Sequence, residues 1–375
     1  MRYCTKCLFP ETKPDLFFDG EGVCDACRSA ERKRGEVDAI DWKDREDQFK
    51  KILGRYRSKD GSKYDCIVPV SGGKDSFFQT YSMRYTHKMN PLAVTFDQFD
   101  QTDIGRHNLE ILREIGVDHI HFTMNPKIVR KLVRKGFEIV GDPYWINHVG
   151  ILTVPSQISV AFEVPLIIWG ENPQIEYGGP ALSKENKTLD LAWREEFGGM
   201  RGYREEDMVD EEISLSDLKS LIWPPDGALR NAGTTGLFYG YFFNWDTRRH
   251  MEIAKQYGWK NLPEPWPGSW LNYENCDMAF LDIREHLKWL KYGYGRATDQ
   301  VNIYIRKKLL TREEGLSIIL EKDGRVSQNH IDKFCEFIGI PITEYERIRD
   351  SFVNTDIFIK KASSPEGWML KNNPV

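Results

Sequence analysis

From Tyr64 to Trp169 the chain alternates short apolar runs with longer stretches of helical character, and this rhythm limits the fold more than any other feature. The runs are Asp65–Val70, Leu92–Phe96, His119–Phe122 and Leu166–Trp169; helical stretches fall around 75–86, 103–115, 126–139 and 153–163. A strand that returns through a helix to a neighbouring strand makes the pair parallel, and successive units cover both sheet faces. The expected class is α/β, with a doubly wound parallel sheet. Pro69 lacks the N–H that a central strand needs, so it is expected at the carboxyl end of the first strand, where a loop takes over.

That loop carries the chemistry. Val68-Pro69-Val70 runs into Ser71-Gly72-Gly73-Lys74-Asp75-Ser76, and a helix follows. Glycines let a ligand approach the backbone, Ser71 and Ser76 offer hydroxyls, and the new helix presents unpaired N–H groups. A strand–loop–helix corner at the carboxyl edge of a parallel sheet is where such folds bind ligands, here an anion and most plainly a phosphate. No G-x-x-x-x-G-K-[ST] loop occurs, and Gly293-Tyr294-Gly295 lacks the third glycine of a dinucleotide fingerprint. A plain flexible turn is the alternative, and the apolar strand directly before it argues against that.

Four of the seven cysteines lie in the first 27 residues, as Cys4-Thr-Lys-Cys7 and Cys24-Asp-Ala-Cys27. Two such pairs can place four thiolates around one ion, with Pro10, Pro14, Asp19-Gly20 and Gly22 supplying the turns between. Structural zinc is the expectation. Two disulfides, free thiols or an iron–sulfur cluster share the same residues. Cys66, Cys276 and Cys335 stand apart and read as small buried hydrophobes.

Charged residues at 29% and hydrophobic ones at 40% exclude disordered and fibrous classes. A net charge of −5 over 375 residues argues against a dedicated nucleic-acid binder. No apolar run reaches the ~18–20 residues of a membrane span, and no signal-peptide core follows Met1-Arg2-Tyr3-Cys4, so a cytoplasmic chain is expected. The expected divisions are a four-cysteine zinc module over 1–35, a charged helical connector over 36–63, the loop-bearing sheet unit over 64–177, an aromatic-rich insertion over 178–282, and a helical carboxyl-terminal region over 283–375 that completes the site. The insertion holds six of eleven tryptophans (Trp193, Trp223, Trp245, Trp259, Trp266, Trp270) and should contain little regular sheet. Those rings either fill a core or stack on a sugar or base. Thr311-x-x-Glu314 and Thr343-x-x-Glu346 read as capping boxes, and the last dozen residues as a frayed tail. Eight scattered histidines without a helical metal pair suggest no catalytic metal.

Ser71-Gly72-Gly73-Lys74-Asp75-Ser76 resembles the S-G-G-x-D-S signature of the PP-loop ATP pyrophosphatases, the adenylating fold (HUP-like, adenine nucleotide alpha hydrolase) of GMP synthetase and tRNA thiolation enzymes. Gly170-Glu171-Asn172 with Glu176-Tyr177-Gly178-Gly179 is similar to a stretch of a narrower family, the N-acetyl sugar amidotransferases of bacterial surface-polysaccharide biosynthesis. Gly293 to Gln300, Ile305-Arg306, Thr311 to Glu314 and the four amino-terminal cysteines resemble the same family, so the likeness extends from residue 4 to about 315.

The resemblance implies that ATP adenylates the acetamido oxygen of a nucleotide-linked sugar, releases pyrophosphate, and lets ammonia displace AMP to give an acetamidino sugar for lipopolysaccharide or O-antigen synthesis. It assigns Ser71, Gly72, Gly73, Lys74, Asp75 and Ser76 to the pyrophosphate, with Asp75 a candidate Mg²⁺ ligand and Lys74 stabilising charge at the α-phosphate. Display on a helix surface is the competing reading for Lys74. Asp97 and Gly170 would lie by the ATP. Arg296 and Asp299 would complete the phosphate end, or else form a surface ion pair. Glu171, Asn172, Glu176 and Tyr177 would meet ATP or the sugar amide, or else structure their loop. On this reading Asp75→Ala abolishes adenylation and leaves the fold intact.

None of the lone cysteines sits in a nucleophile elbow and position 2 is Arg, so ammonia must come from a separate glutaminase. In the resembled family that partner is like the glutaminase subunit of histidine biosynthesis, with a synthase-like barrel subunit as a further candidate. The runner-up function is a tRNA-thiolating PP-loop enzyme, which calls for catalytic cysteines in the loop domain and a basic face. A non-enzymatic zinc-ribbon interaction module is the third, and the intact loop argues against it.

Overall fold

The computed structural model describes residues 1–36, 39–171, 177, 187–189, 191–361 and 367–372, without the side chains of 192, 193 and 197. Its centre is a six-stranded sheet in the order β3-β2-β1-β4-β6-β5, built from β1 (Cys66–Pro69), β2 (Pro91–Phe96), β3 (Asp118–Phe122), β4 (Leu166–Trp169), β5 (Thr188–Leu189) and β6 (Thr235–Phe238). The first five strands of that order run parallel, with Cys66 opposite Pro91, Ile67 opposite Ile167 and Leu166 opposite Thr235; β5 runs antiparallel to β6 at the end of the order. Pro69 is the last residue of β1.

From β1 the chain winds outward to β2 and β3, then crosses back to β4 on the other side of β1. Loops leaving β1 and β4 therefore diverge, and a crevice opens between them at the carboxyl edge, the usual ligand position of such sheets. β1 and β4 are all but fully buried, as strands covered on both faces must be.

Two helices precede the sheet: α1 (Asp25–Lys33), and α2 (Trp42–Tyr56), whose buried Phe49 and Leu53 dock it on the core. Within the sheet region lie α3 (Lys74–Tyr81), α4 (Asp103–Glu110), α5 (Pro126–Lys135) and α6 (Trp145–Phe162). After β6 come α7 (Thr247–Gln256), α8 (Leu281–Tyr292), α9 (Arg296–Arg306), α10 (Arg312–Lys322), α11 (Gln328–Ile338) and α12 (Ile342–Ser351).

Three expectations are corrected. α6 begins at Trp145, eight residues before the expected 153, because the helix is apolar on all sides and so has no amphipathic period to mark its start. The aromatic-rich segment does hold little regular sheet among its described residues, the short β5 and β6, though β6 pairs residue for residue with β4. The tail is not simply frayed, since β7 (Phe358–Lys360) and β8 (Trp368–Leu370) pair as an antiparallel ribbon beside Trp289. Thr311 caps α10 reciprocally with Glu314, but α12 starts at Ile342 behind Pro341, which leaves Thr343 inside the first turn instead of capping it. No helix among the described residues is long and apolar enough to cross a membrane.

Candidate functional site

At the end of β1 the chain turns through Gly72 at φ +89°, and an added Cβ there would lie 2.8 Å from the Gly105 carbonyl of α4, so only glycine fits. The serines tie the loop to itself. Ser76 Oγ donates to the Gly73 carbonyl (3.0 Å) and accepts from the Ser71 N–H (3.3 Å), while Ser71 Oγ accepts from the Gly73 N–H (3.4 Å). Trp259 clamps the turn from outside, its Nε1 donating to the Gly72 carbonyl at 3.0 Å. Gly73 gives α3 no side-chain cap, so the first-turn N–H groups remain for a ligand.

Lys74 is not displayed on a helix surface. It is 4% exposed, and its Nζ lies 2.8 Å from Asp75 Oδ2. Burial pulls the ammonium pKa down, but Asp75 and then Glu274 outweigh it and hold Lys74 charged. Asp75 is driven the other way, to about 2, because Lys74 and His250 overcome the desolvation of its carboxylate. Its second oxygen, Oδ1, faces His250 Nδ1 at 2.7 Å. Both carboxylate oxygens thus already face nitrogen donors, one each, and no step is assigned to a magnesium ion on Asp75.

The loop opens into a cavity of about 450 Å³. Its floor is the loop and the β2 residues Val94 and Phe96. Trp169, Gly170 and Glu171 come from the end of β4, Tyr144, Asn147 and His148 from the start of α6, and Trp245 and Trp259 from the aromatic-rich segment; Tyr273–Met278, Arg284 and Arg296 close the far side. Tyr177 also lines it, whereas Asn172 and Glu176 fall outside the described residues. Asp97 is not on the wall. Strand alternation turns it to the opposite face from Phe96 and Gln98, where it meets His121 (3.1 Å) and Thr123 (3.2 Å).

Arg296 and Asp299 do not form a surface ion pair. Arg296 Nη2 binds the buried Glu274 at 2.6 Å, Lys288 Nζ binds Asp299 at 2.7 Å, and Arg296 to Asp299 is a 4.0 Å contact. Gln300 donates to the same Glu274 oxygen. Arg296 lines the cavity, and Asp299 stands behind it.

Among the described tryptophans of the aromatic-rich segment, Trp245 and Trp259 are both core and cavity wall. Cys66, Cys276 and Cys335 are buried as expected, yet Cys276 also lines the cavity. Its burial pushes the thiol up to about 12, so it stays protonated and is a poor nucleophile. Sequence reasoning missed His250, Glu274 and Lys288. His250 stands 175 residues from Asp75, and no spacing rule links two such positions.

The four amino-terminal cysteines meet in one buried cluster, with every Sγ within 4.8 Å of the others. Cys4 to Cys27 is 3.9 Å and Cys7 to Cys24 is 3.6 Å. A tetrahedron of thiolates at the usual zinc distance of about 2.3 Å has edges of about 3.8 Å, so the cluster fits one ion. The sulfurs are too far apart for disulfides and too close together for a multi-iron cluster. The backbone N–H of Cys24 donates to Cys4 Sγ at 3.2 Å, as thiolate ligands require. The module is joined to the site: Leu8 N–H donates to Asn302 Oδ1 of α9 (2.8 Å), and Phe9 meets Tyr294 edge to face.

The wall from Tyr273 to Lys307 belongs to a recognisable unit. Residues 267–372 match the family model described as LPS biosynthesis protein WbpG-like, C-terminal domain. This match agrees with the polysaccharide-biosynthesis side of the resemblance. A 95-residue stretch is also 28% identical to an uncharacterized protein of Methanocaldococcus jannaschii, covering 25% of this chain and 32% of that protein. The chain thus spans about a third of the length of this curated relative.

Proposed function

We propose that the protein is an ATP-dependent amidotransferase, a C–N ligase that converts an acetamido group of a nucleotide-linked sugar into an acetamidino group for lipopolysaccharide or related glycan synthesis. One observation carries the reading. A glycine loop whose sequence resembles the adenylating PP-loops opens, at the switch point of a parallel sheet, into a cavity whose far wall lies in the WbpG-like segment.

The chemistry follows from the poor reactivity of an amide. Its oxygen attacks the α-phosphorus of ATP, the bond to the β-phosphate breaks, and pyrophosphate leaves into the loop. Loop N–H groups and Lys74 hold the negative charge that builds there. Ammonia then adds to the activated carbon, gives up a proton, and expels AMP with the former amide oxygen. Magnesium, which accompanies ATP in water, neutralises phosphate charge. Arg296 lies at the same cavity and is fixed by Glu274, which suits it to a phosphate or to a sugar carboxylate.

Ammonia is supplied by a partner glutaminase. The three cysteines outside the metal cluster are buried, and burial raises each thiol, so none is ready to attack glutamine. The same fact weakens the tRNA-thiolase alternative. The test is product mass spectrometry with ATP, ¹⁵N-ammonium and a UDP-linked diacetamido uronic acid. The reading requires one ¹⁵N in the sugar product and AMP in equal amount; ¹⁵N-free sugar overturns it.

A further inference from the structure

α3 places Lys74 and Asp75 side by side, and adjacent residues on a helix do not face each other. Their ion pair at 2.8 Å is therefore not set by helix geometry alone, and a contact from another element can hold the carboxylate in place. α7, which packs on α3, supplies the means. His250 is 2% exposed, stacks on Phe78 with ring centres 3.9 Å apart and planes 12° apart, and meets Trp245 edge to face at 4.6 Å. These two rings fix the plane of the imidazole, and Nδ1 lies 2.7 Å from Asp75 Oδ1. A carboxylate can only accept, so Nδ1 carries the proton and donates.

We infer that His250 is a positioning residue of the loop: it fixes the Asp75 carboxylate, and Asp75 in turn aims the Lys74 ammonium at the phosphate that the loop holds. The inference rests on the reading of the loop as the ATP site. No pattern in the sequence marks this histidine. The bland alternative is that the ring merely fills the space between Phe78 and Trp245. The two accounts differ in what they ask of the side chain, since one needs its N–H and the other its flat ring.

Two variants order oppositely under them. His250→Phe keeps the ring and loses the donor. His250→Gln keeps an N–H donor and loses the ring. Pyrophosphate formation from ATP with ammonium and a UDP-linked diacetamido uronic acid should fall about 10- to 100-fold in kcat in His250→Phe, with the KM for ATP within about threefold, since misaimed catalytic groups lose rate more than binding. His250→Gln should recover at least part of that loss despite a lower melting temperature. Full activity in His250→Phe with loss in His250→Gln overturns the inference. A double-mutant cycle of His250→Phe and Asp75→Ala on urea unfolding decides it independently of turnover: about a tenfold coupling in the unfolding constant supports it and additivity overturns it. Absence of any wild-type pyrophosphate would overturn the functional reading alone, because that cycle needs no substrate.

Discussion

Lys74 Nζ lies 2.8 Å from Asp75 Oδ2, and the lysine is buried while its partner is about a quarter exposed. The pair is therefore structural as well as chemical, because a buried ammonium needs a nearby negative charge. The expectation that Asp75→Ala leaves the fold untouched does not follow from this geometry.

Asp75→Ala should abolish pyrophosphate formation and also lower stability, by on the order of 2–3 kcal/mol, since Lys74 then keeps the charges of Glu274 and Glu171 but loses its direct carboxylate partner. The double variant Lys74→Met/Asp75→Ala should regain most of that stability and none of the activity. Urea unfolding beside ATP turnover checks both. An inactive Asp75→Ala of unchanged stability would mean that the ion pair contributes little to the fold.

The metal module should be coupled to the cavity. Phe9 packs on Tyr294, two residues before Arg296, and Leu8 hydrogen-bonds Asn302 on the same helix as Arg296. Cys24→Ser should lower the zinc content well below one per chain, lower the melting temperature by several degrees, and raise the KM for ATP. Native mass spectrometry and thermal melts read the first two effects. A metal-free wild type with unchanged melting would remove zinc from the account.

Asp100 gives a pH dependence with a defined sign. It accepts from the Tyr144 hydroxyl and from the Phe280 N–H at 2.8 Å. Burial raises its pKa from the ordinary 3.8 to about 7. Between those values the folded chain holds a proton that the unfolded chain has lost, so stability falls as pH rises and the cost is complete above about 7. Asp277, raised to about 6, adds to the slope, whereas His87 and His119, each lowered to about 4 by burial, oppose it below 6.5. Stability of Asp100→Asn relative to wild type should therefore increase from pH 5 to pH 8. Urea midpoints at four pH values measure it, and a flat difference would contradict the assignment.

Much of the ligand-facing frame is legible in the sequence. β1, β2 and β4 announce themselves because buried parallel strands are short, nearly continuous apolar runs between loop residues, whereas β3, partly exposed at the end of the sheet, is the mixed run Asp-His-Ile-His-Phe. The Ser71–Ser76 loop and the two C-x2-C pairs are local in sequence, so their spacing carries their geometry. β6 is Thr235-Gly-Leu-Phe, too short and too glycine-bearing to declare itself, and it is a strand because β4 offers it an edge. The contacts of His250 with Asp75, and of Glu274 with Arg296, exist only once distant segments meet, which no local pattern encodes.

The central claim is that this cavity couples ATP cleavage to an acetamido sugar. Its most direct test is pyrophosphate release from ATP by the intact protein with ammonium, in parallel incubations with a UDP-linked diacetamido uronic acid, with bulk tRNA, and with neither. Release that depends on the sugar nucleotide and vanishes in Asp75→Ala is the predicted result. Release that needs tRNA, or none with any acetamido sugar nucleotide, would contradict the account.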